Sequence, residues 1–144
     1  MATFIKINDF VEHLAEKVYN LGSDQLVVAL SNTAPASETS NPTADGNGVL
    51  ANVTEVAYTN LSSRNITTSA SAQTSGTYKL TLTDLTLTAS GGSVAAFRYA
   101  YIYNDTATND GLIGMYDYGS ALTLGDGESI TIDFSDANGL LQLA

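Results

Sequence analysis

The alternation of apolar and polar residues is strongest over residues 97–118, and it predicts a β-hairpin. An aromatic residue occupies every second position from Phe97 to Tyr103, so these side chains share one face of an extended segment. Aromatic residues are enriched in strands, which favours a strand over a helix here. Residues 104–111 (NDTATNDG) are polar and tolerate turn conformations. We therefore expect them to join this strand to an antiparallel strand over residues 112–118.

The simplest register of this hairpin places Tyr103 opposite Leu112. If the numbers of opposed residues keep a constant sum, the same face carries three further pairs: Phe97 with Tyr118, Tyr99 with Tyr116 and Tyr101 with Gly114. On the other face Arg98 lies opposite Asp117, which predicts an ion pair. A slip of one residue would reverse the two faces. The aromatic face is either a half-buried part of the protein's own structure or a surface that contacts a partner.

Residues 9–21 are predicted to form the one helix of the chain. Asp9 is the expected N-cap, Glu12 completes a variant of the capping box, and Gly22 ends the helix. Such a helix has one apolar stripe, formed by Phe10, Val11, Leu14, Val18 and Leu21. His13, the single histidine, falls on the polar face, where a solvated side chain is more common than a catalytic one.

A short apolar run and a long polar segment follow this helix. Residues 25–31 (QLVVALS) have the length and composition of a buried strand. Residues 32–48 contain Pro35 and Pro42, show no periodicity and exceed the usual loop length of a compact domain. This segment is therefore either a flexible surface loop or an arm that becomes ordered on a partner.

Short strands separated by turns make up the rest of the chain. Three more are predicted over residues 64–73, 77–89 and 128–134. Within the second of these, the apolar positions change parity near Thr83 and Asp84, which indicates a β-bulge or a bend. Together these patterns predict a mainly β single domain over residues 1–144. The expected fold is an antiparallel β-sandwich or a jelly-roll-like fold with one N-terminal helix.

Charge narrows the range of partners. Fifteen acidic and five basic residues give a net charge of −10. The basic residues do not cluster along the chain: they are Lys6, Lys17, Arg64, Lys79 and Arg98. Since binding to nucleic acid or to an anionic membrane requires clustered positive charge, we expect neither kind of partner. The same charge makes copies of the chain repel one another at a distance, so assembly must rest on short-range apolar contacts or on a basic partner.

No residue pattern indicates catalysis or a bound cofactor. The chain has no cysteine, which excludes disulfides and thiolate chemistry. Most of the acidic residues of the C-terminal half fall in predicted turns or on outward strand positions, where carboxylates are normally solvated. Residues 105–111 and 125–128 carry oxygen ligands that calcium favours, but they lack the spacing of an EF-hand loop. We therefore expect no enzyme activity, no cofactor and no specific metal site.

Two segments resemble a family of small structural proteins of tailed bacteriophages. They begin FIKINDFVEHLAEKVYNLGSDQL and FRYAYIYNDTATNDGLIGMYDYGS, and they lie near the N-terminus and in the C-terminal half. The resemblance implies a virion component made in the host cytoplasm. The first expectation is a capsid decoration or cement protein that contacts the major capsid protein and forms a small homo-oligomer such as a trimer. The alternatives are a tail, tail-fibre or head–tail joining protein and, third, a carbohydrate-binding module that uses exposed tyrosines.

The expected contact regions are the parts that protrude from such a fold: the helix, the 32–48 segment and the hairpin tip. The aromatic face is a further candidate, because it could become buried at an interface. The candidate contact residues in these regions are Phe10, Leu14, Pro35, Pro42, Tyr99, Tyr101, Tyr103, Asn104, Asp105, Asp110 and Tyr116. Arg98 and Asp117 are expected to act as a structural pair.

Overall fold

The computed structural model describes residues 2–35, 48–135 and 137–144, which fold mainly as β-strands joined in antiparallel sheets. The strands are β1 (Phe4–Lys6), β2 (Leu26–Ser31), β3 (Asn65–Ile66), β4 (Thr68–Thr74), β5 (Thr77–Leu82), β6 (Leu85–Thr88), β7 (Phe97–Asn104), β8 (Leu112–Leu122), β9 (Ser129–Ile132) and β10 (Leu141–Leu143). One short helix, α1 (Phe10–Ala15), lies between β1 and β2. The mainly β, antiparallel character is confirmed, whereas the sandwich or jelly-roll arrangement stays a prediction.

The largest sheet has five strands in the order β1-β8-β7-β2-β3. All six residues of β2 are buried, as expected for an apolar run between two other strands. β2 pairs along its whole length with β7, from Leu26 opposite Asn104 to Ser31 opposite Tyr99. The prediction of a buried strand over residues 25–31 is therefore confirmed.

The predicted hairpin is present as β7 and β8, but most of its predicted register is wrong. Tyr103 does lie opposite Leu112. Ile102, however, pairs with Gly114, so Ile113 is an extra residue in β8. Beyond this bulge, Tyr101 lies opposite Met115 rather than Gly114.

The bulge at Ile113 exchanges the faces of the residues that follow it in β8. Met115 packs with the tyrosines of β7, and Tyr116 packs with Ala100 on the opposite face. A second irregularity lies further along, where Tyr99 pairs with Asp117 but Phe97 pairs with Leu122. These findings correct the predicted pairs of Tyr99 with Tyr116 and of Phe97 with Tyr118.

The helix is much shorter than the predicted 9–21 segment. Asp9 has helical dihedral angles and makes no side-chain capping bond. Its carboxylate instead accepts a hydrogen bond from the backbone N–H of Gly48, at 3.0 Å. The helix stops six residues before its predicted end at residue 21, because Lys17 adopts a left-handed conformation with φ 64°. Of the predicted apolar stripe, Val11 and Val18 are exposed.

Two smaller sheets complete the structure, one with the order β10-β5-β4 and one formed by β6 and β9. The chain leaves the first of these sheets after Leu82 and enters the second at Leu85. The predicted bend near Thr83 and Asp84 is therefore confirmed, and it lets one apolar run serve two sheets. The strands predicted over residues 64–73 and 128–134 are also present, as β3 with β4 and as β9.

Buried side chains form two clusters on opposite faces of the five-stranded sheet. The larger cluster includes side chains from all three sheets, among them Val28, Leu80 and Ile132. The smaller cluster contains Ile7, Val27, Ala29, Val53, Tyr99, Tyr101, Tyr103, Leu112 and Met115. The five-stranded sheet is thus covered on both faces, which explains why its inner strands carry few polar side chains.

Candidate interaction surface

Six of the predicted contact residues are buried inside the chain. Their exposed fractions are 1% for Phe10, 3% for Tyr99, 0% for Tyr101, 6% for Tyr103, 0% for Asn104 and 6% for Tyr116. A side chain packed inside the chain has no surface to offer to a partner. The prediction of partner contact at these six positions is therefore wrong.

The tyrosines of β7 are buried because a second apolar layer covers their face of the sheet. Ile7, which follows β1, and Val53, which follows a 3₁₀ turn at Leu50–Asn52, both pack in the same cluster. Burial raises the pKa of Tyr103, since the phenolate form loses its hydration. A glycan-stacking face built from Tyr99, Tyr101 and Tyr103 is consequently absent from this structure.

Asn104 organises the hairpin tip instead of protruding from it. Its side-chain oxygen accepts hydrogen bonds from the backbone N–H groups of Thr106 and Ala107, both at 3.0 Å. Its side-chain nitrogen donates to Asp24 Oδ2 at 2.7 Å. Asp105 is exposed and Asp110 is partly exposed, so the tip itself remains accessible.

The remaining contact candidates have mixed positions. Leu14 and Pro35 are partly exposed. Pro42 and most of the 32–48 segment lie outside the described residues. The alternatives of a flexible loop and an ordering arm therefore both stay predictions.

The predicted pair of Arg98 and Asp117 is present. Arg98 Nε and Nη2 donate to the two carboxylate oxygens of Asp117 at 2.8 and 3.0 Å. Asp117 lies opposite Tyr99 rather than Arg98, so the long arginine side chain reaches one position along the strand. The hydrogen bonds from Arg98 lower the pKa of Asp117 and, reciprocally, raise the pKa of Arg98.

A partly apolar groove lies beside the hairpin tip, and we call it the tip groove. It has a volume of about 590 Å³ and lies between four segments of the chain. Its lining residues are Leu14, Lys17, Val18, Tyr19, Asn20, Leu21, Gly22, Asp24, Ser71, Tyr78, Thr106, Ala107, Thr108 and Leu143. Val18 and Leu143 are 37% and 38% exposed, and they are two of the four exposed large apolar residues in the described chain. The other two, Ile5 and Val11, do not line this groove.

One wall of the tip groove is the segment that follows α1. The helix ends in a Schellman motif, in which Val18 N–H donates to His13 O at 2.8 Å and Lys17 N–H donates to Leu14 O at 3.3 Å. This motif reverses the chain direction and leaves Val18 on the surface. The sequence placed Val18 in the apolar stripe of a longer helix, whereas the structure places it on the surface beyond the end of α1.

Tyr19 anchors this wall to β8. Its hydroxyl donates to the backbone oxygen of Leu112 at 3.1 Å. A phenol has only one proton to donate, so the hydroxyl oxygen accepts from His13 Nδ1, which lies 3.0 Å away. Burial is the main reason that the pKa of Tyr19 is raised, and the negative charge of Asp9 adds to it. His13 therefore has a structural hydrogen bond rather than the solvated position expected from the sequence.

The polar groups of the tip groove are mostly bonded to one another. Asp24 Oδ2 accepts from Asn20 N–H and from Asn104 Nδ2, both at 2.7 Å. Ser71 Oγ and the Tyr78 hydroxyl lie 2.9 Å apart. The groove thus combines apolar rims with polar walls whose groups are largely hydrogen-bonded within the protein.

A second charged cluster, formed by Glu55, Tyr58 and Arg64, is structural. The Arg64 guanidinium lies 3.6 Å from the centre of the Tyr58 ring and also donates to Val28 O. The Tyr58 hydroxyl donates to Glu55 and accepts from Leu30 N–H at 3.0 Å. These side chains form hydrogen bonds with the backbone groups of β2 that the short strand β3 does not reach. Natural sheets commonly protect their exposed edges with such side chains.

Among residues 2–35, 48–135 and 137–144, no three side chains of His, Asp or Glu form a group that could hold a metal ion. Within the same residues, no helix is long and apolar enough to cross a bilayer.

Comparison of the chain with protein-family models, with curated proteins and with solved structures found no match. The resemblance to bacteriophage structural proteins therefore rests on the two sequence segments alone.

Proposed function

We propose that the chain is a structural protein of a tailed-bacteriophage virion, and that it decorates the capsid by binding the major capsid protein. The tip groove is the observation that carries the proposal. It gathers Val18 and Leu143, both exposed, in one concave surface with bonded polar walls. Exposed apolar residues gathered in this way are typical of protein contact sites.

Electrostatics supports a contact of this kind. The net charge of −10 keeps the free protein soluble and discourages non-specific association. A specific contact must then be made at short range, where apolar burial outweighs charge repulsion. In the tip groove the charged lining residues are Lys17 and Asp24, and Asp24 is engaged by Asn20 and Asn104.

The two resembling segments also meet at the tip groove. Residues 14–24 of the first segment form one wall, and residues 106–108 of the second segment form another. If the resemblance reflects a shared role, the parts of the sequence that carry it converge on one surface. A covering of the capsid by β-sandwich or jelly-roll modules would present this end of each module to the lattice.

The proposal is tested by sedimenting the purified protein with separated capsids and separated tails from particles that lack it. We expect saturable binding to capsids and none to tails. Binding to tails alone would contradict the decoration role and would favour a tail or head–tail joining protein. Absence of binding to both would contradict a virion role.

Two double variants test whether the tip groove makes the contact. V18N/L143N removes the exposed apolar side chains of the groove without adding charge, and we expect capsid affinity to fall by about tenfold or more. I5N/V11N changes the two exposed apolar residues outside the groove and serves as the matched control. Equal affinity of both variants would exclude the groove as the contact surface.

A further inference from the structure

The longest edge strand of the described structure, β4, has an unpaired side. β4 ends the β10-β5-β4 sheet and pairs only with β5. Its seven residues, TSASAQT, include no charged residue and no proline. Natural proteins usually protect edge strands with short length, charge or proline, because a free edge invites pairing with another strand. The remaining edge strands of the described sheets have two to four residues.

The backbone groups that β4 offers at this edge follow from its hairpin with β5. Ser75 and Gly76 form the two-residue turn with φ 52° and 85°, so Thr74 and Thr77 are the closing hydrogen-bonded pair. In an antiparallel pair, hydrogen-bonded and non-bonded positions alternate. Ser71 and Gln73 are therefore at non-bonded positions toward β5, and their N–H and C=O groups point to the free edge.

The sequence of β4 is nearly symmetric about Ser71. If two copies pair antiparallel around a two-fold axis at this residue, Ser71 meets Ser71 of the other copy and Ala70 meets Ala72. Ser69 then meets Gln73, and Thr68 meets Thr74. This register aligns all seven residues and puts outward-pointing backbone groups opposite one another.

We propose that β4 is a self-association edge, through which two copies of this chain join their three-stranded sheets into one continuous sheet. The self-complementary sequence of β4 indicates a second copy as the occupant, and the absence of charge in this strand removes local repulsion from the contact. The chain carries −10 overall, yet in this register every β4 side chain faces an uncharged side chain of its copy. A symmetric interface needs one self-complementary surface, and β4 provides it. The inference does not depend on the proposed role in the virion.

The expected dimer is weak, because a pair of seven-residue strands buries less surface than a standard interface. A bulge at Ser69 bends one end of β4 and weakens the pairing there. Sedimentation velocity of the full chain, from about 1 μM to about 1 mM, should show a monomer that shifts to a dimer. A monomer at every concentration would overturn the proposal.

Matched charge variants test the register. Ala70 and Ala72 are both exposed, so substitution there leaves the core intact. A70E/A72E places carboxylates opposite one another twice across the two-fold axis, and the dissociation constant should rise by about tenfold or more. A70K/A72E places opposite charges there and should dimerise at least as well as the natural chain. In both variants the carboxylate at position 72 lies beside Lys79 of β5, which keeps the monomers comparable. Equal dimerisation of the two variants would overturn the proposed register.

Cross-linking gives a second readout that does not depend on affinity. The natural chain has no cysteine, so S71C introduces a single thiol at the two-fold axis. Opposed residues in a hydrogen-bonded antiparallel pair lie about 5.5 Å apart between Cα atoms, within disulfide range. We expect S71C to form a covalent dimer under mild oxidation, and A70C, whose thiol faces Ala72, to form much less. Equal cross-linking of the two variants would contradict pairing about Ser71.

Discussion

At the scale of the residue, Lys17 ends the only α-helix of the described chain in a conformation that its side chain disfavours. Its φ is 64°, whereas the preceding Glu16 has φ −86°. A glycine adopts the left-handed region without the steric cost that a Cβ imposes. The Schellman hydrogen bonds to His13 and Leu14 hold Lys17 there.

We therefore expect K17G to stabilise the protein by about 0.5–1 kcal/mol, measured by denaturant unfolding. E16G is the control, and it should destabilise the protein by a similar amount because Glu16 has an ordinary backbone conformation. If K17G were instead the more destabilising of the two, the left-handed helix end would be wrong.

The stop at Lys17 also shows why the helix was predicted too long. The apolar periodicity continues through Val18 and Leu21, so pattern alone favours a helix to residue 21. Leu21 is indeed buried, but it reaches the core from the segment beyond the turn. Apolar periodicity identifies residues that become buried, but it does not show that the helix ends between two of them.

At the scale of the element, β1 packs on β8 at a glycine. A Cβ at position 114 would overlap Phe4 Cζ and would lie 2.9 Å from the backbone oxygen of Ile5. The Phe4 ring occupies the space that a side chain would need, and it also packs at 5.5 Å, centre to centre, from the Tyr116 ring. The missing side chain at Gly114 thus leaves the space in which Phe4 of β1 packs.

We expect G114A to destabilise the protein by about 1–3 kcal/mol, because the methyl group must displace Phe4 or β1. G22A is the matched control: a Cβ there meets its nearest neighbours at an ordinary 3.5 Å, so its unfolding free energy should stay unchanged or rise slightly. In the double variant F4A/G114A, the effect of the glycine substitution should shrink. An undiminished effect would show that Phe4 is not the obstacle.

The sequence predicted the hairpin, the Arg98–Asp117 pair and the bend near Thr83 correctly, since each depends on local pattern. It missed the bulge at Ile113, because an extra residue in a strand leaves no mark when neighbouring side chains are all apolar. It allowed a half-buried tyrosine face as one of two alternatives but could not choose between them, since that face is covered by Ile7 and Val53 from distant parts of the chain. The tip groove forms where four separate segments of the chain meet, so no local pattern in the sequence predicts it.

At the scale of the whole molecule, the tyrosines set the behaviour of the fold in alkali. Burial raises the pKa of Tyr19, Tyr58 and Tyr116 well above the ordinary value of 10.0. A raised pKa in the folded state contributes stability that is complete below pH 10 and is lost as the pH rises above it, because only the unfolded chain releases these protons easily.

The melting temperature should accordingly stay level between about pH 8 and pH 9 and fall by more than about 5 °C by pH 11. Circular dichroism reports the fold, and tyrosinate absorbance reports ionisation in the same samples. We expect a large part of the tyrosinate signal to appear together with unfolding. Ionisation of all eight tyrosines near pH 10 with the fold intact would contradict the buried state of these rings.

The order of strands in the five-stranded sheet has a consequence for how the protein folds during its synthesis. β1 pairs with residues 114–116 of β8, and β2 pairs with β7, so the first strands made are joined to strands made much later. Such non-local pairing slows folding to the range of milliseconds to seconds. β7 and β8 are the local pair, and β1 cannot take its place in the sheet until β8 has emerged from the ribosome. β1 therefore has no partner strand while the residues between it and β8 are being made, and the five-stranded sheet closes only after β8 is available.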